Sequence, residues 1–391
     1  MVHTFCVDGR YLALDVDSGT VHMLDELGYE VVSRWEESAP EEIVRALAGR
    51  FPEEEIREGI GEVRALQESG TLFSHDEDLH KAPADADPGV IKAMCLLVAH
   101  DCNLRCRYCF ASTGDFGTGH RMTMDFDTAK RAIDWVVAKS GHRRNIEVDF
   151  FGGEPMLNFP VVKELVAYGR ELEKKHGKVF RFTITTNAYS LTDEDIDYFN
   201  REMSNVVLSV DGRKETHDAM RPTADGQGSW ERAMANAKKV AAARKQQDYY
   251  VRGTFTRKSL DFSRDVLALA DQGFEQVSVE PVVLSPDSPY SLLPEHLPQI
   301  LEQYDLLYKE YVQRRADGRW FSFFHFCVDL NGGPCIKKRL SGCGAGVCAL
   351  RCLRLNTSPS TWSVISGVMA TMATTPKASV RMSPPTASQA P

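Results

Sequence analysis

Acidic residues are missing from the last stretch of this chain. All 55 Asp and Glu of its 391 residues lie at or before Asp329, and residues 330–391 carry seven Lys and Arg with no carboxylate. Residues 1–329 therefore set 55 carboxylates against 39 basic side chains, which argues against a phosphate backbone as the main partner and so against nucleic acid. No run of 18 apolar residues occurs, so the sequence offers no membrane-spanning helix. Met1–Arg10 lacks a basic segment leading into an apolar one, so the expected location is the cytoplasm. Cysteine is absent between Cys109 and Cys327 and again after Cys352. The ten cysteines thus fall mainly into two groups, Cys102/Cys106/Cys109 and Cys327–Cys352. In a chain that is not secreted such groups read as metal ligands or catalytic thiols rather than disulfides. Cys6 and Cys95 stand apart and are expected to be buried apolar residues.

Residues 1–80 read as a small α+β unit: a hairpin around Asp8-Gly9, then helical patterns over 22–35, 40–51 and 53–69. That is the outline of a winged helix. Its 19 acidic and 6 basic residues have the wrong sign for DNA, so a peptide is the better partner. Residues 81–90 read as a linker. From residue 91 the pattern is a strict strand–helix alternation. Strands are predicted at 91–99, 146–151, 181–186, 206–210, 249–255 and 276–282, each followed by a helix. Six βα units imply an α/β fold with a parallel sheet, doubly wound or a partial barrel, whose chemistry sits at the C-terminal ends of the strands.

The polar motifs fall at those ends. Cys102, Cys106 and Cys109 follow the first strand in AHDCNLRCRYCFAS. Three thiolates at this spacing suit three irons of a [4Fe–4S] cluster, leaving one iron open to another ligand. Zinc, which usually takes four ligands from paired knuckles, and three structural cysteines are the competing readings. Gly152, Gly153 and Glu154 close the second strand, where the lack of Cβ lets a ligand approach the backbone. Thr185 and Asn187 close the third, Ser209 and Asp211 the fourth, and Arg252 lies in the fifth. The bland alternatives for these are strand-end and turn chemistry.

CxxxCxxC after the first of six βα units, with GGE one unit later, resembles the radical S-adenosylmethionine (SAM) superfamily. The resemblance implies a partial (β/α)6 barrel. It implies that Cys102, Cys106 and Cys109 hold the cluster and that SAM chelates its open iron. It places Tyr108 near the adenine, Gly152–Glu154 at the SAM ammonium, Thr185 and Asn187 near SAM, Ser209 and Asp211 at its ribose or carboxylate, and Arg252 at its carboxylate. Glu280 is expected on the adenine side.

A closer match runs from MVHTFCVDGRYLALDVDSGTVHMLDELGYEVV through IEVDFFGGEP and EMSNVVLSVDGRKETHDAMRP to GGPCIKKRLSGCGAG. These segments resemble the SCIFF peptide maturases. That resemblance implies a radical SAM enzyme that forms Cys-derived thioether cross-links in a cysteine-rich ribosomal precursor through a 5′-deoxyadenosyl radical. It further implies leader-peptide docking on residues 1–80, a RiPP recognition element, by strand addition, and an electron donor such as ferredoxin or flavodoxin. Residues 321–346 resemble the start of a SPASM region, with Cys335 and Cys343 as ligands of auxiliary [4Fe–4S] clusters. After Gly346 the resemblance ends. Cys348 and Cys352 do not keep the family spacing, so two complete auxiliary clusters are not expected from residues 347–391, which read as a disordered tail. A frameshift or truncation near Val347 would explain it, with cross-linking impaired while SAM cleavage survives. Sulfatase maturation, peptide epimerisation and a catalytically defective leader-binding protein are the rival functions.

Overall fold

The computed structural model describes residues 1–75, 90–327 and 349–352. The chain divides into two compact units, one built on Met1–Ala86 and the other on Asp87–Phe326.

In the first unit, β1 (Val2–Val7) and β2 (Arg10–Asp15) form a hairpin with Val7 opposite Arg10. Asp8 and Gly9 both take positive φ, 50° and 74°, as a two-residue turn matching the twist of its strands requires. The helix expected over 22–35 begins later. Val21–Leu24 forms a third strand, β3, antiparallel to β2. Asp25 then accepts from the Gly28 N–H at 2.7 Å and starts the helix Glu26–Val32; such a cap satisfies a helix donor that the strand could not. Helices Pro40–Leu47 and Glu53–Glu68 follow, and Ala13, Val31, Ile43, Leu47, Ile56 and Val63 meet in the core. Cys6, expected to be buried, is exposed on edge strand β1, two residues before the turn.

The buried carboxylate of Asp15 clamps this unit together. It accepts from the N–H groups of Asp17, Ser18 and Ser74 and from the Ser74 hydroxyl. The end of β2 is thereby tied to the chain beyond the last helix.

The second unit holds β4 (Ala93–His100), β5 (Met122–Thr123), β6 (Asn145–Gly152), β7 (Val179–Thr186), β8 (Asn205–Ser209), β9 (Tyr249–Phe255), β10 (Gln276–Pro281), β11 (Ser322–Phe323) and β12 (Ala349–Cys352). Apart from β5, which pairs antiparallel with β4, the ladders are parallel and run β12-β4-β6-β7-β8-β9-β10-β11. The order never reverses along β4 to β11. That excludes the switch point of a doubly wound sheet and matches a partial barrel. Two features depart from expectation. A short helix, Lys214–Met220, follows β8. The tail expected to be disordered from 347 contributes β12, with Ala349 opposite Ala93.

The alternation of each strand explains both faces of the sheet. Met94, Leu96 and Val98, then Ile146, Val148 and Phe150, then Phe180, Phe182 and Ile184 are all buried in one core. Phe182 stacks on Phe150 and Phe180 at 5.6 and 5.4 Å; each such ring contributes about 1.5–3 kcal/mol by burial. The intervening residues share the other face by the period of two. These include Asp149, Thr183, Thr185, Ser209, Arg252 and Glu280. A polar inner wall is thus built by strands whose outer residues make the core.

Candidate functional site

After β4 the chain leaves the sheet as the loop carrying Cys102, Cys106 and Cys109, all three free and half-buried. Two sets of backbone bonds hold it. At the end of β6, the Gly153 N–H donates to Ala99 O at 2.8 Å and the Glu154 N–H to Asp101 O at 2.9 Å. Beyond β8, Leu104 bridges antiparallel to Thr223, the Arg105 N–H donates to Pro222 O at 2.7 Å, and the Arg107 N–H to Met220 O at 2.9 Å. This register sets Cys106 opposite Arg221.

The two glycines serve the first of these contacts. A Cβ on Gly152 would lie 2.3 Å from Ala99 O, and one on Gly153 2.2 Å from Asp101 O. Gly152 also has φ +142°, which L side chains rarely adopt. In the folded chain the missing Cβ atoms admit protein backbone, bringing the end of β6 against the cysteine loop.

Glu154 is buried and works across strands. It accepts from the Thr186 hydroxyl at 2.6 Å, the Asn187 N–H at 2.8 Å and the Met156 N–H at 3.2 Å. Burial pushes its carboxyl up to about 7 despite those donors. Asn187, so fixed, turns its Nδ2 to Asn103 Oδ1 at 2.7 Å and to Cys102 Sγ at 3.7 Å. The Leu104 N–H adds a second donor to that sulfur at 3.4 Å.

Tyr108 donates its hydroxyl to the Asp211 carboxylate at 2.6 and 2.8 Å. Asp211 is fully buried and also accepts from the Thr254 N–H at 2.9 Å and from Arg221 Nη2 at 3.0 Å. Its carboxylate thereby holds Tyr108 and Arg221. Desolvation keeps the Tyr108 phenol well above its ordinary range. His217 lies behind, with Nε2 2.9 Å from Ser229 Oγ, and burial pulls its imidazole down to about 4.

On the inner wall the Thr185 hydroxyl donates to Asp149 at 3.4 Å. Burial pushes the Asp149 carboxyl up to about 7, opposed by Thr185 and the charge of Arg252. Ser209 and Arg252 are register partners on β8 and β9. Glu280 meets His325 Nε2 at 3.0 Å, and His325 Nδ1 lies 2.8 Å from the Tyr304 hydroxyl. The imidazole holds the Glu280 carboxyl down to about 2. Arg221, Asp149 and His325 were not singled out from the sequence. Asp149 could have been: a carboxylate at a non-core position of an alternating strand needs a reason. Arg221 and His325 reach the site from separate segments, which spacing cannot reveal. Cys335 and Cys343 lie outside the described residues.

Residues 96–252 match the model of the Radical SAM superfamily. That stretch runs from β4 into β9. Likeness to individual proteins covers parts of the chain. The chain is 32% identical over 139 residues to the uncharacterized protein MJ0907 of Methanocaldococcus jannaschii, covering 36% of this chain and 45% of that one. It is 27% identical over 248 residues to a cysteine-type anaerobic sulfatase-maturating enzyme of Clostridium novyi, covering 60% and 64%. With the radical SAM cyclopropyl synthase TigE of Paramaledivibacter caminithermalis it shares 24% over 193 residues, covering 46% and 39%. The chain therefore spans between 39% and 64% of the length of these three relatives. A solved structure of anSMEcpe with bound AdoMet superposes with a TM-score of 0.51 at 18% identity, covering 60% of this chain and 64% of that one, a likeness of fold. No helix among the described residues is long and apolar enough to cross a membrane.

The matched family implies a [4Fe–4S] cluster and SAM, and the cysteine loop fits such a cluster. Burial pushes the Cys102 thiol up to about 12 and the Cys106 thiol up to about 11. Such thiols ionise only against strong positive charge, which bound iron supplies. Among the described residues no three His, Cys, Asp or Glu side chains are set to hold one metal ion. A cubane does not ask for that, because each thiolate takes a different iron.

Proposed function

We propose that this protein is a radical SAM maturase that forms Cys-derived thioether cross-links in a ribosomally made, cysteine-rich precursor peptide. The observation that carries the reading is the convergence at one barrel end: the three-cysteine loop is bonded directly to the ends of β6 and β7, above a polar inner wall. When bound, the cluster and SAM supply a 5′-deoxyadenosyl radical able to abstract a hydrogen from the peptide.

The chain's own part is to bind, orient and exclude water. Cys102, Cys106 and Cys109 hold the cluster. Asn187 and the Leu104 N–H donate to the Cys102 sulfur and steady its charge. Glu154 fixes Asn187 and the β6–β7 junction. Thr185, Ser209 and Arg252 line the wall where a zwitterionic, ribose-bearing ligand finds donors and a cation, the guanidinium suiting a carboxylate by bidentate pairing. The first unit offers edge strand β3, with Met23 and Val21 exposed, for a leader peptide added as a further strand. Cys335 and Cys343 are the candidates for an auxiliary cluster, and a low-potential electron-transfer protein is the expected reductant.

Similarity to cysteine-type and serine-type sulfatase-maturating enzymes favours a second reading, oxidation of a single Cys or Ser in a sulfatase-type substrate. Product mass separates the two. Anaerobically reconstituted protein, given SAM, a strong reductant and a cysteine-rich peptide with its leader, should yield deoxyadenosine. It should also yield a peptide lacking two hydrogens per cross-link, with the thiol no longer alkylatable. Deoxyadenosine with an unlinked, oxidised side chain would support the second reading, and no deoxyadenosine at all would overturn both.

A further inference from the structure

Arg221 is buried at 8% exposure beside the cysteine loop, and the Cys102 and Glu154 network makes no use of it. Three contacts fix it. Its Nη2 lies 3.0 Å from Asp211 Oδ1, its guanidinium sits over the Tyr108 ring at 5.3 Å, and its backbone lies between the two bonds Arg107 N–H to Met220 O and Arg105 N–H to Pro222 O. One polar atom remains. Arg221 Nε is buried and finds no hydrogen-bond partner among the described residues. A guanidinium N–H left unsatisfied in a desolvated site costs about 1–3 kcal/mol or more, so a native chain that keeps one needs a partner for it. Cys106 is the residue opposite in the register.

We propose that Arg221 is the cation that sets the reduction potential of the cluster at Cys102, Cys106 and Cys109, with its Nε–H directed to the Cys106 sulfur side of that cluster. Asp211 and Tyr108 act as its positioning residues. The inference rests on the cluster reading of the cysteine loop. One-electron reduction adds negative charge to the cluster, and a fixed positive charge in a low-dielectric site favours the reduced form, as hydrogen bonds to cluster sulfur also do. The carboxylate of Asp211 opposes this, so the two members of the pair act on the potential with opposite signs.

The test is an EPR-monitored potentiometric titration of full-length protein, reconstituted without oxygen, beside iron and sulfide content. In Arg221→Gln the reduced-to-oxidised ratio at fixed applied potential should fall about tenfold, a shift of about 59 mV to more negative potential for a one-electron couple. Asp211→Asn should shift it the opposite way. The double variant, which leaves no buried charge unpaired, should shift negatively but less than Arg221→Gln. Arg221→Lys should fall between Arg221→Gln and the parent. Opposite signs for the two single variants cannot come from a merely structural role. Variants with full iron content and potentials within twofold of the parent ratio would overturn the inference while leaving the cluster reading intact. A parent protein that assembles no cluster would overturn both.

Discussion

The Glu154 carboxylate accepts the Asn187 backbone N–H at 2.8 Å, joining the ends of two neighbouring strands, and the Asn187 side chain reaches the Cys102 sulfur at 3.7 Å. A buried carboxylate at one strand end thus governs a residue that touches a sulfur of the cysteine loop. Glu154→Ala should leave the Thr186 hydroxyl and the Asn187 N–H without a buried acceptor, costing about 1–3 kcal/mol. Denaturant unfolding would show the loss, and Glu154→Gln, which keeps an acceptor, should lose less. Equal stability of the Ala variant and the parent would mean that water replaces the carboxylate.

Gly153→Ala should be far worse than its size suggests. Its Cβ would meet Asp101 O at 2.2 Å, and backbone on both sides leaves no flexible atom to yield, so several kcal/mol or a displaced loop is expected. Gly61→Ala, in the exposed face of the helix Glu53–Glu68 with nothing within 4 Å, should instead gain about 0.5–1 kcal/mol. Circular dichroism with iron content after reconstitution reads both. A Gly153→Ala protein with native iron binding would contradict the close approach.

Acidity should affect the barrel through Asp149, whose carboxyl burial raises to about 7. The folded state then holds the proton more tightly than the unfolded chain. The stability from this group is complete below about pH 4 and is lost as pH rises through about 7. Asp149→Asn should flatten that fall. Chemical denaturation of the cofactor-free protein across this range measures it, and identical slopes for parent and variant would refute the assignment.

Asp15 should give the first unit the reverse dependence. Burial works against its charge, but the donors of Ser74, Ser18 and Asp17 outweigh that and hold the carboxyl below its ordinary range. Its contribution is present above about pH 4 and lost as pH falls below it. Asp15→Ala should cost about 1–3 kcal/mol through the orphaned Ser74 and Ser18 N–H groups. A thermal melt of residues 1–75 reported by Trp35 fluorescence at neutral pH would register it, and an unchanged midpoint would count against the clamp.

Six strands and six helices of the barrel were readable because apolar residues recur at the right period and every helix buries a continuous face. The strand β3 was not, since Val21-His22-Met23-Leu24 suits either period and only pairing with β2 decides. Neither was β12, four residues without a periodic context. The cysteine loop was legible from spacing alone. The reason for Gly152 and Gly153 was not, because sequence records a missing Cβ but not which atoms fill the space. Arg221 lay beyond reach for a different cause: its meaning depends on a pairing with Cys106 that local pattern cannot express.

That pairing also orders events in time. Arg107 reaches Ala219 O across 112 residues of chain, so the cysteine loop gains its second anchor only after Met220–Thr223 has been synthesised. Contacts of such sequence separation form late, since the intervening chain must first be organised. The three thiols therefore leave the ribosome long before the fold can shield them. The loop is consequently fixed only once β4 to β8 and the helix Lys214–Met220 have been made, and a nascent chain stalled ahead of Met220 would present oxidisable cysteines held by the first anchor alone.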